Sequence, residues 1–175
     1  MSIMHKRTVE SSLLRSAFGG RILGKLFLAA LIGLGAQTFA TAAENTFGGD
    51  RVTVASTKSF EEVTKAVESL VAKNGMMIMA QVDQGKMLSM TGLTLKATLF
   101  LVGNPTVGKE LFAQSHGVGL YVPLRLFVYT DPDGKTFVSY DKPSTLLGQF
   151  QNEKITMVAQ MLDQKLEGLA YMAAQ

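Results

Sequence analysis

The chain has 175 residues, enough for one domain with a real core but not for two comfortable ones once a leader is set aside. It contains no cysteine, which excludes disulfides, thiolate nucleophiles and cysteine-ligated metal sites. The formal net charge of +3 reflects 17 basic and 14 acidic residues, and the excess is concentrated near the N-terminus.

Lys6, Arg7, Arg15, Arg21 and Lys25 precede an apolar run at 26–39, which leads into the small residues Ala40, Thr41, Ala42 and Ala43. That order predicts a secretory signal peptide over 1–42, cut near Ala42. The apolar run is shorter than the ~20 residues a membrane span needs, and it holds Gly33 and Gly35. Retention as an inner-membrane anchor is therefore the alternative to cleavage. Cleavage removes five of the 17 basic residues and one of the 14 acids, leaving 12 against 13 and a formal charge of −1. The basic balance is a targeting feature, so neither nucleic acid nor, after processing, a membrane is an expected partner. The expected location is periplasmic or secreted.

After a short tail at 43–50, Val52 and Val54 alternate in a first strand over 51–55, the start of a single domain at 51–175. Ser59 and Glu62 then form a capping box for a helix whose apolar positions are Phe60, Val63, Val67, Leu70 and Val71, and Asn74-Gly75 ends it. The dense apolar run at 76–82 predicts a buried strand, and 85–90 a short helix turning Met87, Leu88 and Met90 inward. A second buried strand spans 97–102. Val107, Leu111 and Phe112 face the core from a short helix that stops before Gly117.

Residues 120–129 read as a long strand whose Pro123 deletes one ladder donor, implying an edge position or a bulge. Asp131-Pro132-Asp133-Gly134 predicts a turn, with 135–140 returning antiparallel. A closing helix over 153–172 carries the stripe Ile155, Val158, Ala159, Leu162, Leu166 and Leu169. The order predicts a two-layer α+β domain, a mainly antiparallel sheet with helices on one face.

The stretch GNPTVGKEL, beginning at Gly103, approaches the phosphate-binding pattern G-x-x-x-x-G-K-[ST]. Two residues oppose that reading. Glu110 stands where the magnesium-binding hydroxyl belongs, and Pro105 removes an amide from the cradle. The same residues serve a helix start, with Asn104 as N-cap and Pro105 at the first helical position. Amides at such a start also attract anions, which makes the Asn104 loop a candidate ligand contact.

The segment LFLVGNPTVGKELFAQSHGVGLYVPLRLFVYTDPDGKTFVSYDKP, from Leu99 to Pro143, resembles the family called domain of unknown function 302. The matching elements are Gly103-Asn104-Pro105 after an apolar strand, 120–125 around Pro123, the Asp133-Gly134-Lys135 hairpin and 138–143. Ser59-Phe60-Glu61-Glu62 and Gly75 fit its start. The resemblance is strong over 52–149 and loose over the last helix. It implies a fold similar to one half of the TATA-box-binding-protein topology and a homodimer, and it implies no activity. Relatives often carry Asp-His after the second strand, whereas Gln84 follows Asp83 in this chain.

Among chemically active groups, Met76, Met77, Met79, Met87 and Met90 admit a Cu(I) reading, because thioethers are soft ligands. Met also fills irregular core gaps, which is the leading reading. His116 is the sole histidine beyond the leader; before Gly117 it suits the C-terminal carbonyls of a helix, and a zinc site is not expected. Ser115, Ser139 and Asp141 accompany it without a nucleophile elbow.

Alternation puts Tyr121, Arg125 and Tyr129 on one side of their strand, near Tyr140 and Asp141. A solvated sheet face is the simpler account of them. The functional account is a concave surface where Arg125 holds an acidic group and tyrosines stack on the ligand body. The sequence thus predicts an exported, cofactor-free and metal-free domain that binds a small anionic or aromatic ligand through Asn104, Tyr121, Arg125 and Tyr140. Metal handling by the Met76 to Met90 cluster and a small enzyme of unknown reaction are the alternatives.

Overall fold

The computed structural model describes residues 50–175; the predicted leader at 1–42 and the tail, Asp50 apart, lie outside the described residues. Ser59 Oγ accepts from the Glu62 amide and Glu62 Oε2 accepts from the Ser59 amide, so the capping box forms and starts α1 (Phe60–Lys73). The Ser59 hydroxyl also donates to Glu62 Oε2 at 2.7 Å, and this bond, followed by that from the Ser59 amide, holds the exposed Glu62 carboxyl below its usual range. Asn74 follows as C-cap, and Gly75 takes φ +68°, the left-handed conformation that glycine adopts without a Cβ clash.

Five strands, β1 (Arg51–Ser56), β2 (Met77–Asp83), β3 (Ala97–Gly103), β4 (Leu124–Thr130) and β5 (Thr136–Asp141), form one sheet in the order β1-β5-β4-β3-β2. Every neighbouring pair is antiparallel. α1 and the long closing helix pack on one face of it. As numbered in chain order the remaining helices are α2 (Gln84–Ser89), α3 (Pro105–Phe112) and α4 (Pro143–Leu147), and α5 spans Glu153–Ala174. This is the α+β architecture predicted from the element order.

The alternation of β3, β4 and β5 explains the layering. Phe100 and Val102, Leu124, Leu126 and Val128, and Val138 and Tyr140 point into a core shared with Val63, Val67 and Val71 of α1. From α5 come Ile155, Ala159, Leu162, Leu166 and Leu169, the predicted stripe, with Val158 at its margin. The helix runs on to Ala174, whose carbonyl accepts from Ser56 Oγ at 2.6 Å. A buried Leu or Val side chain contributes about 1.5–3 kcal/mol, so this interleaved layer is the main source of stability.

Four sequence expectations are corrected. The strand predicted from residue 120 begins only at Leu124. His116–Leu120 instead form a 3-10 turn, the Tyr121 and Val122 amides donate back to the Val118 carbonyl, and Pro123 has no amide to join the ladder. The Val122–Pro123 peptide bond is cis.

The apolar run expected to be a buried strand is instead an edge. β2 pairs only with β3, its register shifts between Ile78 and Ala80, and Met77 is 55% and Met79 46% exposed. A bulge on an edge strand hinders pairing with another chain. Met87, Leu88 and Met90 are likewise exposed, because the position of α2 that packs inward is Gly85, against the backbone of Leu95 and Ala97. Phe112 is also largely exposed, its ring resting over Gly119, while Leu111 alone of α3 is fully buried.

Candidate functional site

The face of the sheet opposite the helices carries the other set of alternating side chains. From β4 these are Arg125, Phe127 and Tyr129; from β5, Phe137, Ser139 and Asp141; from β1, Arg51 and Thr53. On this face Arg51 donates to both Asp141 oxygens, at 2.8 and 3.1 Å, and the Thr53 and Ser139 hydroxyls bond at 2.6 Å. The pairing with Asp141 raises the Arg51 pKa, so this guanidinium stays charged.

The site arises where the sheet divides. β4 and β5 pair from Phe127 opposite Ser139 to Thr130 opposite Thr136, and no further. Beyond Phe127, β4 stays with β3, Leu124 opposite Val102, whereas Tyr140 and Asp141 stay with β1. The two strands therefore part at the end where Arg125 and Asp141 stand. A cavity of about 320 Å³ opens there on the exposed face, lined by Arg51, Arg125, Phe127, Tyr129 and Asp141 among others. A second, of about 280 Å³, lies at the same division and is lined by Leu120, Tyr121, Leu124, Arg125, Asp141 and Leu146. Arg125 and Asp141 belong to both.

Tyr121 is held in place within this second cavity. Its ring meets Phe150 edge-on at 5.9 Å, and its hydroxyl donates to Gln149 Oε1 at 3.1 Å. Gln149 is in turn fixed by donating to the Leu146 carbonyl. Arg125, by contrast, has no acidic partner within salt-bridge distance among the described residues; Asp141 is engaged by Arg51. It is an exposed cation whose side chain makes no hydrogen bond among the described residues.

Tyr121 and Arg125 are thus brought together, and the two other predicted site residues are not. Asn104 serves the N-cap of α3: Oδ1 accepts from the Thr106 and Val107 amides and Nδ2 donates to the Gly75 carbonyl at 2.7 Å. The amides expected to attract an anion are already satisfied. Replacing Asn104 with alanine should cost about 1–2 kcal/mol, the usual scale for a lost cap. Thermal unfolding checks this, with ligand affinity expected to stay as it was.

Tyr140 turns its ring to the helix side and is 4% exposed. Burial, with Glu167 and Asp163 nearby on α5, pushes its phenol up to about 12, so it remains neutral. Only its strand position borders the cavity on the other face.

Sequence reasoning missed Arg51 and Phe127. The two-residue spacing Arg125, Phe127, Tyr129 contained the signal for Phe127. Nothing local points to Arg51, which meets Asp141 90 positions away through strand register.

The catalytic constellations do not assemble. Ser115 caps the 3-10 turn through Gly117, Ser139 is bonded to Thr53, and Asp141 to Arg51. His116 opens that turn instead of closing α3, whose last carbonyls accept from the Ala113, Gln114 and Ser115 amides. Met76 is buried in the core, apart from the exposed Met77 and Met79. A larger groove of about 580 Å³ between α3 and α5 is lined by Lys109, Glu110, Ala113, Lys154, Met157 and Val158. Its charged side chains are exposed and form no ion pair among the described residues, so it offers less fixed chemistry than the divided sheet.

A family profile described as "Domain of unknown function DUF302" matches residues 52–171. The chain belongs to the DUF302 family. The match takes in most of α5, where the resemblance read from the sequence is loose. The DUF302 fold is supported by the crystal structure of an uncharacterized conserved DUF302 protein from Bacillus stearothermophilus. That structure is similar at a TM-score of 0.66 and 20% identity, over 70% of this chain and 97% of the other.

Among curated proteins, this DUF302 chain is similar to a protein named fluoride-specific ion channel FluC 1 of Brucella suis biovar 1, 32% identical over 96 residues. A protein named FluC 2 of Brucella melitensis biotype 1 matches at the same identity. These alignments cover 54% of this chain and 38% and 36% of the relatives, so the chain spans well under half their length. Among the described residues no helix is long and apolar enough to cross a membrane.

Proposed function

We propose that this DUF302 domain is an exported, non-catalytic module that binds a small anionic ligand where its sheet divides and that works as a homodimer. The carrying observation is Arg125, a guanidinium shared by both cavities while the one nearby acid is engaged by Arg51. A guanidinium takes a carboxylate or phosphate with two parallel hydrogen bonds, and a partly walled site strengthens the interaction relative to open water. Tyr121, fixed through Gln149 and Phe150, gives the second cavity a rigid wall. Similarity to Brucella proteins named for conducting an anion is in keeping with anion binding.

The test is calorimetric titration of the purified protein with a panel of small carboxylates and inorganic phosphate. Arg125→Ala should weaken the tightest of them about tenfold, the scale of a hydrogen bond to a charged group. Arg125→Lys should recover only part of the loss, because an ammonium lacks the planar fork. Undiminished binding by Arg125→Ala, or no binding by any anion, would refute the proposal.

A further inference from the structure

The anion site does not by itself say what body the anion is carried on, and the same face of the sheet supplies that answer. Phe127 and Tyr129 stack with centroids 5.0 Å apart and planes 15° from parallel; Tyr129 and Phe137 stack at 5.4 Å and 20°. The three rings form one row of near-parallel planes on the face away from the helices. Tyr129 stacks with Phe127 along β4 and with Phe137 across from it on β5, so Phe127 and Phe137 are the outer members. At one end the Lys135 ammonium lies 5.7 Å from the Phe137 centroid. At the other is Phe127, and the next residue on that side of β4 is Arg125.

The cavity of about 320 Å³ lies at the Phe127 end: Phe127, Tyr129 and Arg125 line it and Phe137 does not. Its ionised side chains are Arg51, Arg125 and Asp141, a net single positive charge. That balance complements one negative charge. The bonded Thr53 and Ser139 hydroxyls lie on the same wall and offer partners to polar ring substituents. Offset stacking suits a flat ring next to a row already set in parallel planes, and a guanidinium can bind a carboxylate in the plane of such a ring.

We infer that the cavity binds a planar aromatic monocarboxylate, its ring stacked on Phe127 as the next member of the row and its carboxylate held by Arg125. This deepens the anion-binding reading and rests on it. Phe127 is the specificity residue and Arg125 the affinity residue.

The test titrates the purified protein with 1-naphthoate and with cyclohexanecarboxylate, which carries the same charge on a body that cannot stack. 1-Naphthoate should bind about fivefold tighter, the scale of one aromatic pair. Phe127→Leu should bring the two affinities together, and Phe137→Leu, at the far end of the row and outside the cavity, should preserve the preference. A cooperative urea transition of each variant shows that it is folded. Equal binding of the two acids by the native protein overturns the aromatic inference and leaves the anion site standing. Loss of both on Arg125→Ala supports the carboxylate anchor, whereas no binding of either acid by the native protein defeats both readings. A dimer by sedimentation that excludes 1-naphthoate and dissociates on Phe127→Leu also overturns the inference, because the row would then be covered by a second copy.

Discussion

Phe100→Ala should lower the unfolding free energy by about 3–5 kcal/mol, the loss expected when a large aromatic side chain leaves a cavity in a packed core. Phe100 sits on β3, paired with Gln81 of β2 on one side and Leu126 of β4 on the other, and is 0% exposed. Its side chain lies under α1 and α5, in the same cluster as Val63, Val67 and Leu166. The surrounding positions are held by two ladders and two helices, so the site cannot collapse around the missing ring, and the cavity term adds to the lost transfer free energy. Leu99, one residue earlier, faces the other side and is only half-buried, so Leu99→Ala should cost clearly less. Urea unfolding of both variants is the measurement, with the midpoint moving and the slope unchanged. A loss at Phe100 no larger than at Leu99 would mean that the core is not on the helix side of β3.

The elements that the sequence revealed are those decided by neighbours within about four residues. The Ser59 and Glu62 box, the Gly75 cap, the Asn104-Pro105 helix start and the turn at Gly134, where φ is +81°, all formed as the residues predict. So did the α5 stripe, since helical period alone selects a buried face. What remained hidden was set by partners far away in sequence. Whether an apolar strand is central or at an edge depends on sheet order, and β2, apolar at Met77, Ile78, Met79, Ala80 and Val82, has one neighbour where β3 has two. The Leu120 to Pro123 segment is also apolar enough for a strand, but the Val118 carbonyl takes its amides first. The divided sheet follows from three pairings that end at different residues, which no single strand encodes. Hence Arg125 and Tyr121 were legible as neighbours, while Tyr140 went to the opposite face once the register was fixed.

A pair of glycine substitutions with opposite signs separates the two readings of the GNPTVGKEL stretch. Gly108 lies in the second turn of α3; its amide donates to the Asn104 carbonyl at 2.8 Å, and a Cβ built there meets nothing within 4 Å. Gly108→Ala should therefore stabilise the protein by about 0.5–1 kcal/mol, the ordinary gain of alanine over glycine inside a helix. A phosphate loop predicts the reverse, because there the glycine lets backbone amides approach the ligand. At Gly85 the outcome should be the opposite. A Cβ there would stand 2.5 Å from the Leu95 carbonyl oxygen and 3.2 Å from the Ala97 amide nitrogen, both backbone atoms that cannot rotate away. Gly85→Ala should cost about 2–3 kcal/mol, at the upper end of overpacking, by pushing α2 off the start of β3. Urea unfolding of the two variants side by side reads both signs. Destabilisation by Gly108→Ala would place a close neighbour or a ligand at α3 that the helix geometry does not provide for, and a neutral Gly85→Ala would mean that α2 is free to shift. The opposite signs would show that Gly103 to Leu111 is a strand exit and a helix start, with no phosphate cradle built around Gly108.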